Sequence, residues 1–259
     1  MNTSRTHSPS NQLLSSLPPE VLDALQCRLE PVELRAGDLL YRAGAVLTHV
    51  HFPVTTTVSL VSPLADGASA EIAVVGQEGI VGVCAFMGGG KALSSATVQR
   101  PGTAWRMSAR HIADLARDSS PVMQQLLRYT QALFTHMAQT SVCNRHHALS
   151  PRLCNWLLQH LDRQPGNTLT ITQERIAGML GVRRESITGA ALKLQQAGLI
   201  SNGRGCIHVL DRTGLEVQSC ECYGAVEQIY ERLRHGASPW PHGAPASARS
   251  ASAGAACTA

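Results

Sequence analysis

The chain has 259 residues, a formal net charge of +4, 44% hydrophobic and 15% charged residues. These values exclude a disordered or collagenous chain and leave room for one large or two modest domains. No apolar run approaches the ~20 residues of a membrane span, and with 4% aromatic residues aromatic stacking platforms for nucleic acid are not expected to dominate.

Residues 1–12 (MNTSRTHSPSNQ) are polar and lack an apolar h-region, so they read as a disordered tail without a secretory signal. The eight cysteines are then expected as thiols in a reducing cytoplasm. A short helix is predicted at 13–28, started by Ser16 or Pro18–Pro19, with Val21, Leu22 and Leu25 as its stripe. From residue 30 to 108 short alternating runs appear: Val32/Leu34, Val50/Phe52, Val58/Leu60, Ile72/Val74 and Ala96/Val98. Glycines such as Gly37, Gly67 and Gly102 separate them. This pattern predicts a jelly-roll or β-roll domain over 13–118. No helical crossover long enough for a parallel sheet interrupts it.

From Ser108 the period becomes helical. A short helix is predicted at 109–117 and a long one from about Pro121 to Leu149, within a segment 119–149. Leu126, Thr130, Leu133, Met137, Ser141 and Ala148 fall near a heptad line, flanked by Leu127 and Phe134. Such a helix spans ~42 Å, more than a small domain needs. Two readings stay open: a seam between two copies, or a helix buried in its own chain. Ser150–Pro151 reads as an N-cap and N1 proline opening a helix at 151–163. A third unit, 150–235, begins there. Residues 236–259, rich in Ala, Ser, Pro and Gly, read as a second disordered tail.

Residues 171–211 carry the most information. Thr172 can cap a helix over 173–180, Ala177 is small where two helices would cross, and Gly181 follows where a tight turn needs positive φ. Ile187 and Ala190 then return to a core. This spacing is the steric recipe of a helix-turn-helix. The second helix, about 184–197, presents Arg183, Arg184, Glu185, Thr188, Gly189 and Lys193 outward. Asn202-Gly203-Arg204-Gly205 reads as the basic tip of a hairpin wing. Charge agrees. Residues 13–118 hold eight Lys/Arg against ten Asp/Glu, whereas 167–212 hold six against three. The basic half is the candidate for a polyanion partner.

Here the sequence resembles the Crp/Fnr family of bacterial transcription regulators. The resemblance covers about residues 13–234. Arg35-Ala36-Gly37-Asp38-Leu39-Leu40 and the stretch from Val74 to Gly82 are similar to its β-roll glycine signature. Arg152-Leu153 and Trp156-Leu157-Leu158 are similar to the helix leading into its DNA-binding domain. Gly181-Val182-Arg183-Arg184-Glu185-Ser186-Ile187-Thr188 is similar to its recognition-helix start. The resemblance implies an α+β chain: a cyclic-nucleotide-binding-like β-roll, a dimerisation helix at 119–149 and a winged helix-turn-helix at 150–235. It implies a homodimer on a palindromic double-stranded DNA site, with RNA polymerase a further expected partner and no membrane. Arg184 would contact guanine and Glu185 would accept from cytosine N4. Thr188 belongs to the same outer face. Arg183, Lys193 and Thr172 would meet phosphate or groove edge, and Arg204 backbone or minor groove.

Two departures stand out. Cyclic-nucleotide binders of this family place Glu at the position of Val83 and Arg at that of Ser94, so cAMP is not expected at the usual site. Many relatives carry arginine at the position of Gly189, so the operator need not be the familiar one. If an effector exists, the hinge at Asn144–Pro151 is where it should act. No cofactor is identified.

Other constellations are weaker. His49-x-His51 resembles half of a cupin metal motif, and a cupin-like metal-dependent enzyme fused to a winged helix is the alternative function. The downstream Glu is missing, with Thr55 and Thr56 in its place. Gly88-Gly89-Gly90 with Lys91 reads as a turn before an anion cradle. His146 and His147 read as partners of the helix dipole. Cys220-x-Cys222, with Cys206, reads first as buried thiol packing and second as a metal or redox site. Two-residue spacing does not put both thiols on one helical face.

Overall fold

The computed structural model describes residues 11–234, so the predicted tail at 236–259 lies outside the described residues. Asn11 and Gln12, assigned above to the N-terminal tail, are structured. Asn11 is fully buried: its Nδ2 donates to Pro53 O and Gly79 O, both at 2.9 Å, and its Oδ1 accepts from Leu14 N. A polar side chain is stable in the interior because each polar atom has a partner. The single helix predicted at 13–28 is two, α1 (Gln12–Ser15) and α2 (Pro19–Gln26). Pro18–Pro19 cannot continue α1 but can start α2.

Strands β1 (Glu30–Leu34), β2 (Leu39–Tyr41), β3 (His49–Pro53), β4 (Thr57–Pro63), β5 (Ser69–Val75), β6 (Ser95–Arg100) and β7 (Gly102–Ser108) form two antiparallel sheets. Their orders are β1-β7-β3 and β2-β6-β4-β5. Val50, Phe52, Val58, Leu60, Val75, Val98 and Met107 build one core with them, each at most 5% exposed. The alternating pairs read from the sequence lie on β1, β3, β4, β5 and β6. β7 gave no such signal because its side chains do not alternate cleanly, and Arg106 is held by Glu30 at 2.6 Å. Gly88 and Gly90 sit in a turn with φ +86° and +64°.

The helical part follows. Helix α3 (Ala109–Asp118) is capped by Ser108, and α4 (Ser120–His146) runs 27 residues. Gly79 lets α4 seat on the β-roll, since a Cβ there would lie 2.1–2.2 Å from the Tyr129 ring. Of the two readings left open for this helix, the heptad line follows the one buried in its own chain as far as Leu133, while Ser141 and Ala148 are exposed. Leu126, Thr130 and Leu133 are buried within the chain, whereas Leu127, Phe134 and Val142 are 42–51% exposed. The inner face meets the β-roll and α9 (Glu221–Arg234), whose Val226 and Tyr230 join the N-terminal core. The last helix of the segment 150–235 therefore belongs to the long helix as much as to the winged unit.

Helix α5 (Leu149–Leu161) begins two residues before Pro151. Ala148 stands at the N-cap without a side-chain bond, so the Ser150 cap is not made. Proline fits there because first-turn N–H groups have no partner within the helix. Then come β8 (Thr168–Leu169), α6 (Gln173–Leu180), α7 (Arg184–Gln196), β9 (Ile200–Gly203), β10 (Cys206–Val209) and α8 (Arg212–Gln218). Leu153, Leu157, Ile176, Ile187, Leu194, Ile207 and Leu215 form their own core, each at most 1% exposed.

Polar groups join the two cores. Trp156 Nε1 donates to Glu71 Oε1 at 2.8 Å, and His160 Nε2 lies 3.1 Å from the same oxygen. Arg163 Nε donates to Glu78 Oε1 at 2.7 Å and its Nη1 to Gln159 O at 2.8 Å, with the guanidinium 5.1 Å from the Tyr230 ring centre. Burial acts against the Arg163 charge, but the Glu78 carboxylate more than offsets it and holds the group above its ordinary basicity.

Candidate nucleic-acid interface

The helix-turn-helix forms where the spacing places it. Thr172 caps α6, its Oγ1 accepting from Arg175 N at 3.2 Å. Gly181 ends α6 at φ +65°, ψ +38°, and Val182 N closes back on Ala177 O at 3.0 Å. A residue with a Cβ would be strained in that left-handed turn. The turn rests on the β-roll, where a Cβ at Gly181 would sit 3.8 Å from Ala70 Cβ. Ile187, Ala190, Ala191 and Leu194 bury one face of α7.

The opposite face is open. Arg183, Arg184, Glu185, Thr188 and Lys193 are all exposed, as are Thr172 on α6 and Arg204 at the tip of the β9–β10 hairpin. Gly205, with φ +74°, makes that tip. Hydrogen bonds fix the three elements relative to one another. Thr188 Oγ1 donates to Gln173 Oε1 at 2.8 Å, tying the second turn of α7 to the first residue of α6. Gln195 Oε1 accepts from Asn202 N at 3.2 Å and Nδ2 at 2.8 Å, tying α7 to the wing. The Thr188 hydroxyl is thus engaged inside the motif, which makes it a positioning group there. Gln173 and Gln195 escaped the sequence reading because glutamine carries no charge signal and the two are 22 positions apart, and Asn202 was read only as part of the wing tip. At Gly189 a Cβ would meet nothing within 4 Å, so packing does not require the glycine.

The other candidates separate. Val83 and Ser94 are both buried in the β-roll, at 8% and 6% exposure. His51 is buried and its imidazole is pushed down to about 4, first by burial and then by the charges of His49 and Arg106. Among the described residues no third ligand joins His49 and His51, which leaves the cupin-like alternative unsupported. Cys206 lies on the wing beside His208, Sγ to Nε2 3.4 Å, apart from Cys220 and Cys222. Those two gather with Cys143 and His147 instead. His147 stands at the C-cap of α4, where the helix-dipole reading puts it, and its Nδ1 also faces Cys222 Sγ at 3.5 Å. The seven described cysteines are free thiols. No described helix is long and apolar enough to cross a membrane.

Residues 31–119 match the profile of the cyclic nucleotide-binding domain and residues 151–217 that of the Crp-like helix-turn-helix domain. FixK2 from Bradyrhizobium japonicum aligns with a TM-score of 0.64 at 17% identity, covering 74% of this chain and 98% of that one. A Eubacterium rectale protein assigned to the crp/fnr family of transcriptional regulators aligns at 0.64 and 20%, covering 80% and 96%. CLP of Xanthomonas campestris, described as a c-di-GMP responsive global regulator, aligns at 0.61 and 12%, covering 75% and 100%. At these identities the structural likeness speaks for the fold. A search of curated protein sequences finds no match. A cyclic nucleotide-binding domain, a long helix and a Crp-like helix-turn-helix follow one another in this chain, which therefore belongs to the Crp/Fnr family of DNA-binding transcription regulators.

Proposed function

We propose that the protein binds a palindromic DNA site as a homodimer, with α7 of each copy in successive major grooves ~34 Å apart. The observation that carries this reading is the exposed first turn of α7. The turn after it is hydrogen-bonded through Thr188 to the capped start of α6, and both lie on the same unit as the basic wing. In this reading Arg184 contacts guanine O6/N7 and Glu185 accepts from cytosine N4. Arg183, Lys193, Arg204 and the N-terminus of α6 at Thr172 hold phosphates. The seam is the exposed stripe of Leu127, Phe134 and Val142 on α4.

The β-roll is proposed not to take a cyclic phosphate at the family's usual site. The buried Val83 and Ser94 offer no charge to a phosphate there. Isothermal titration with cAMP checks this: saturable binding that a Ser94 substitution abolishes would contradict it.

The test of DNA binding is enrichment of genomic fragments, followed by titration of the enriched site over a salt series. Affinity should fall steeply with salt as phosphate contacts release counterions. Arg184→Ala should lose about 1–3 kcal/mol of discrimination, whereas Lys193→Ala should weaken all sequences alike. Unchanged site preference in Arg184→Ala would remove that residue's role.

A further inference from the structure

Cys143 lies in the last turn of α4, His147 at its C-cap, Cys220 in the link between α8 and α9, and Cys222 in the first turn of α9. Their sulfur and imidazole ligand atoms all lie within 4.8 Å of one another. Cys143 Sγ and Cys220 Sγ are 3.5 Å apart, and Cys222 Sγ is 3.5 Å from His147 Nδ1. The three thiols are 1–8% exposed and form a cluster of their own, outside both cores. A tetrahedral ion with metal–sulfur bonds of about 2.3 Å separates its sulfurs by about 3.8 Å. Side-chain torsions alone can close the difference.

The surroundings are those of ligands and not of apolar packing. Gln139 Nε2 donates to Cys222 Sγ at 3.0 Å, and Asn155 Nδ2 to Cys143 Sγ at 3.7 Å. Such N–H groups support thiolate sulfur. Glu221 Oε1 lies 3.3 Å from His147 Nε2, which leaves Nδ1 toward the thiols. A carboxylate behind an imidazole is the usual way a metal-binding histidine is oriented. The objection that Cys-x-Cys cannot share a helical face falls away, because Cys220 precedes α9 and only Cys222 is helical.

We propose that Cys143, His147, Cys220 and Cys222 form a metal site for a single zinc-class ion. Three thiolates and one imidazole are a closed, soft donor set, the kind that structural zinc takes. Binding releases the three thiol protons and leaves a net single negative charge on the site. The Arg152 side chain lines the same cavity as Cys143. The ion fastens the start of α9 to the end of α4 across the hinge at 144–151, so that α4, α5 and α9 move as one piece.

The test uses the full chain, purified with reductant and without added metal, dialysed and analysed for metals. Roughly one zinc per chain is expected, retained in Cys206→Ser and lost in Cys222→Ser. Cobalt in its place should give thiolate charge-transfer and strong tetrahedral bands. Should Cys222→Ser fail to fold, Glu221→Gln carries the test, since its side chain is 79% exposed. It should weaken zinc affinity by roughly 10–100-fold, read by competition with a chromophoric chelator. The proposal is overturned if the wild-type chain neither retains zinc nor gives tetrahedral cobalt bands. It is also overturned if Cys143 and Cys220 are isolated as a disulfide under reductant, or if Glu221→Gln and Cys222→Ser bind zinc as the wild type does.

Discussion

Replacing Arg163 by methionine keeps the bulk of the side chain and removes its charge. Three interactions go with it: the charge-assisted bond to Glu78 at 2.7 Å, the bond to Gln159 O at 2.8 Å and the stack over Tyr230 at 5.1 Å. Both hydrogen bonds have the guanidinium cation as donor, and a hydrogen bond to a charged group contributes about 1.5–3 kcal/mol. The cation–π contact adds about 0.5–2 kcal/mol. The Arg163 and Glu78 side chains are only 6% and 7% exposed, so Glu78 is left as a buried charge without its cation. Breaking such a pair costs about 3–5 kcal/mol, a factor of roughly 10²–10⁴ in the unfolding equilibrium. Arg106→Met is the control. Its bridge to Glu30 is as short, 2.6 Å, but the side chains are 38% and 63% exposed. Solvent screening limits that loss to under about 1 kcal/mol. Urea denaturation followed by tryptophan fluorescence reads both variants. The Arg163→Met/Glu78→Gln double variant should recover part of the loss, because no unpaired charge remains. If Arg163→Met costs no more than Arg106→Met, the two cores are not docked through this bridge in solution.

Further outcomes follow from the same structure. Gly189→Ala should raise stability by about 0.5–1 kcal/mol, read by denaturant midpoint, because its Cβ enters open space on an exposed helix. Phe134→Glu should turn a dimer into a monomer in sedimentation, since it puts charge into the exposed stripe of α4; an unchanged sedimentation coefficient would move the seam elsewhere. His136 is fully enclosed and its imidazole is pushed down to about 3, chiefly by burial and then by the Arg163 charge. His51 is pushed down to about 4, chiefly by burial. Below the unfolded value near 6.5 only the unfolded chain takes up these protons. Stability should therefore be full above about pH 6.5 and fall toward about pH 4, at up to ~1.4 kcal/mol per pH unit for each group. A flat midpoint over that range would contradict the neutral buried state, and His136→Gln should flatten the slope.

The fold and the exposed face of the helix-turn-helix were legible in the residue string for a local reason. A left-handed turn at Gly181, a hydroxyl cap at Thr172, a small Ala177 and an alternating β-roll are short-range steric demands, and each confines its neighbours to few residue types. Arg184 and Glu185 could be placed outward because Ile187 and Ala190 had to face inward on the same helix. What escaped depends on which segments meet. The heptad on α4 could not say which stripe faced a neighbour, because α9, whose Val226 and Tyr230 lie far downstream of Leu126 and Leu133, supplies that neighbour. Asn11 read as tail until Pro53 O and Gly79 O came within reach. The pairing of Glu78 with Arg163, and of Cys143 and His147 with Cys220 and Cys222, spans 73 to 85 residues. Contacts at that range leave no periodicity in the chain and exist only once the domains and the long helix have packed.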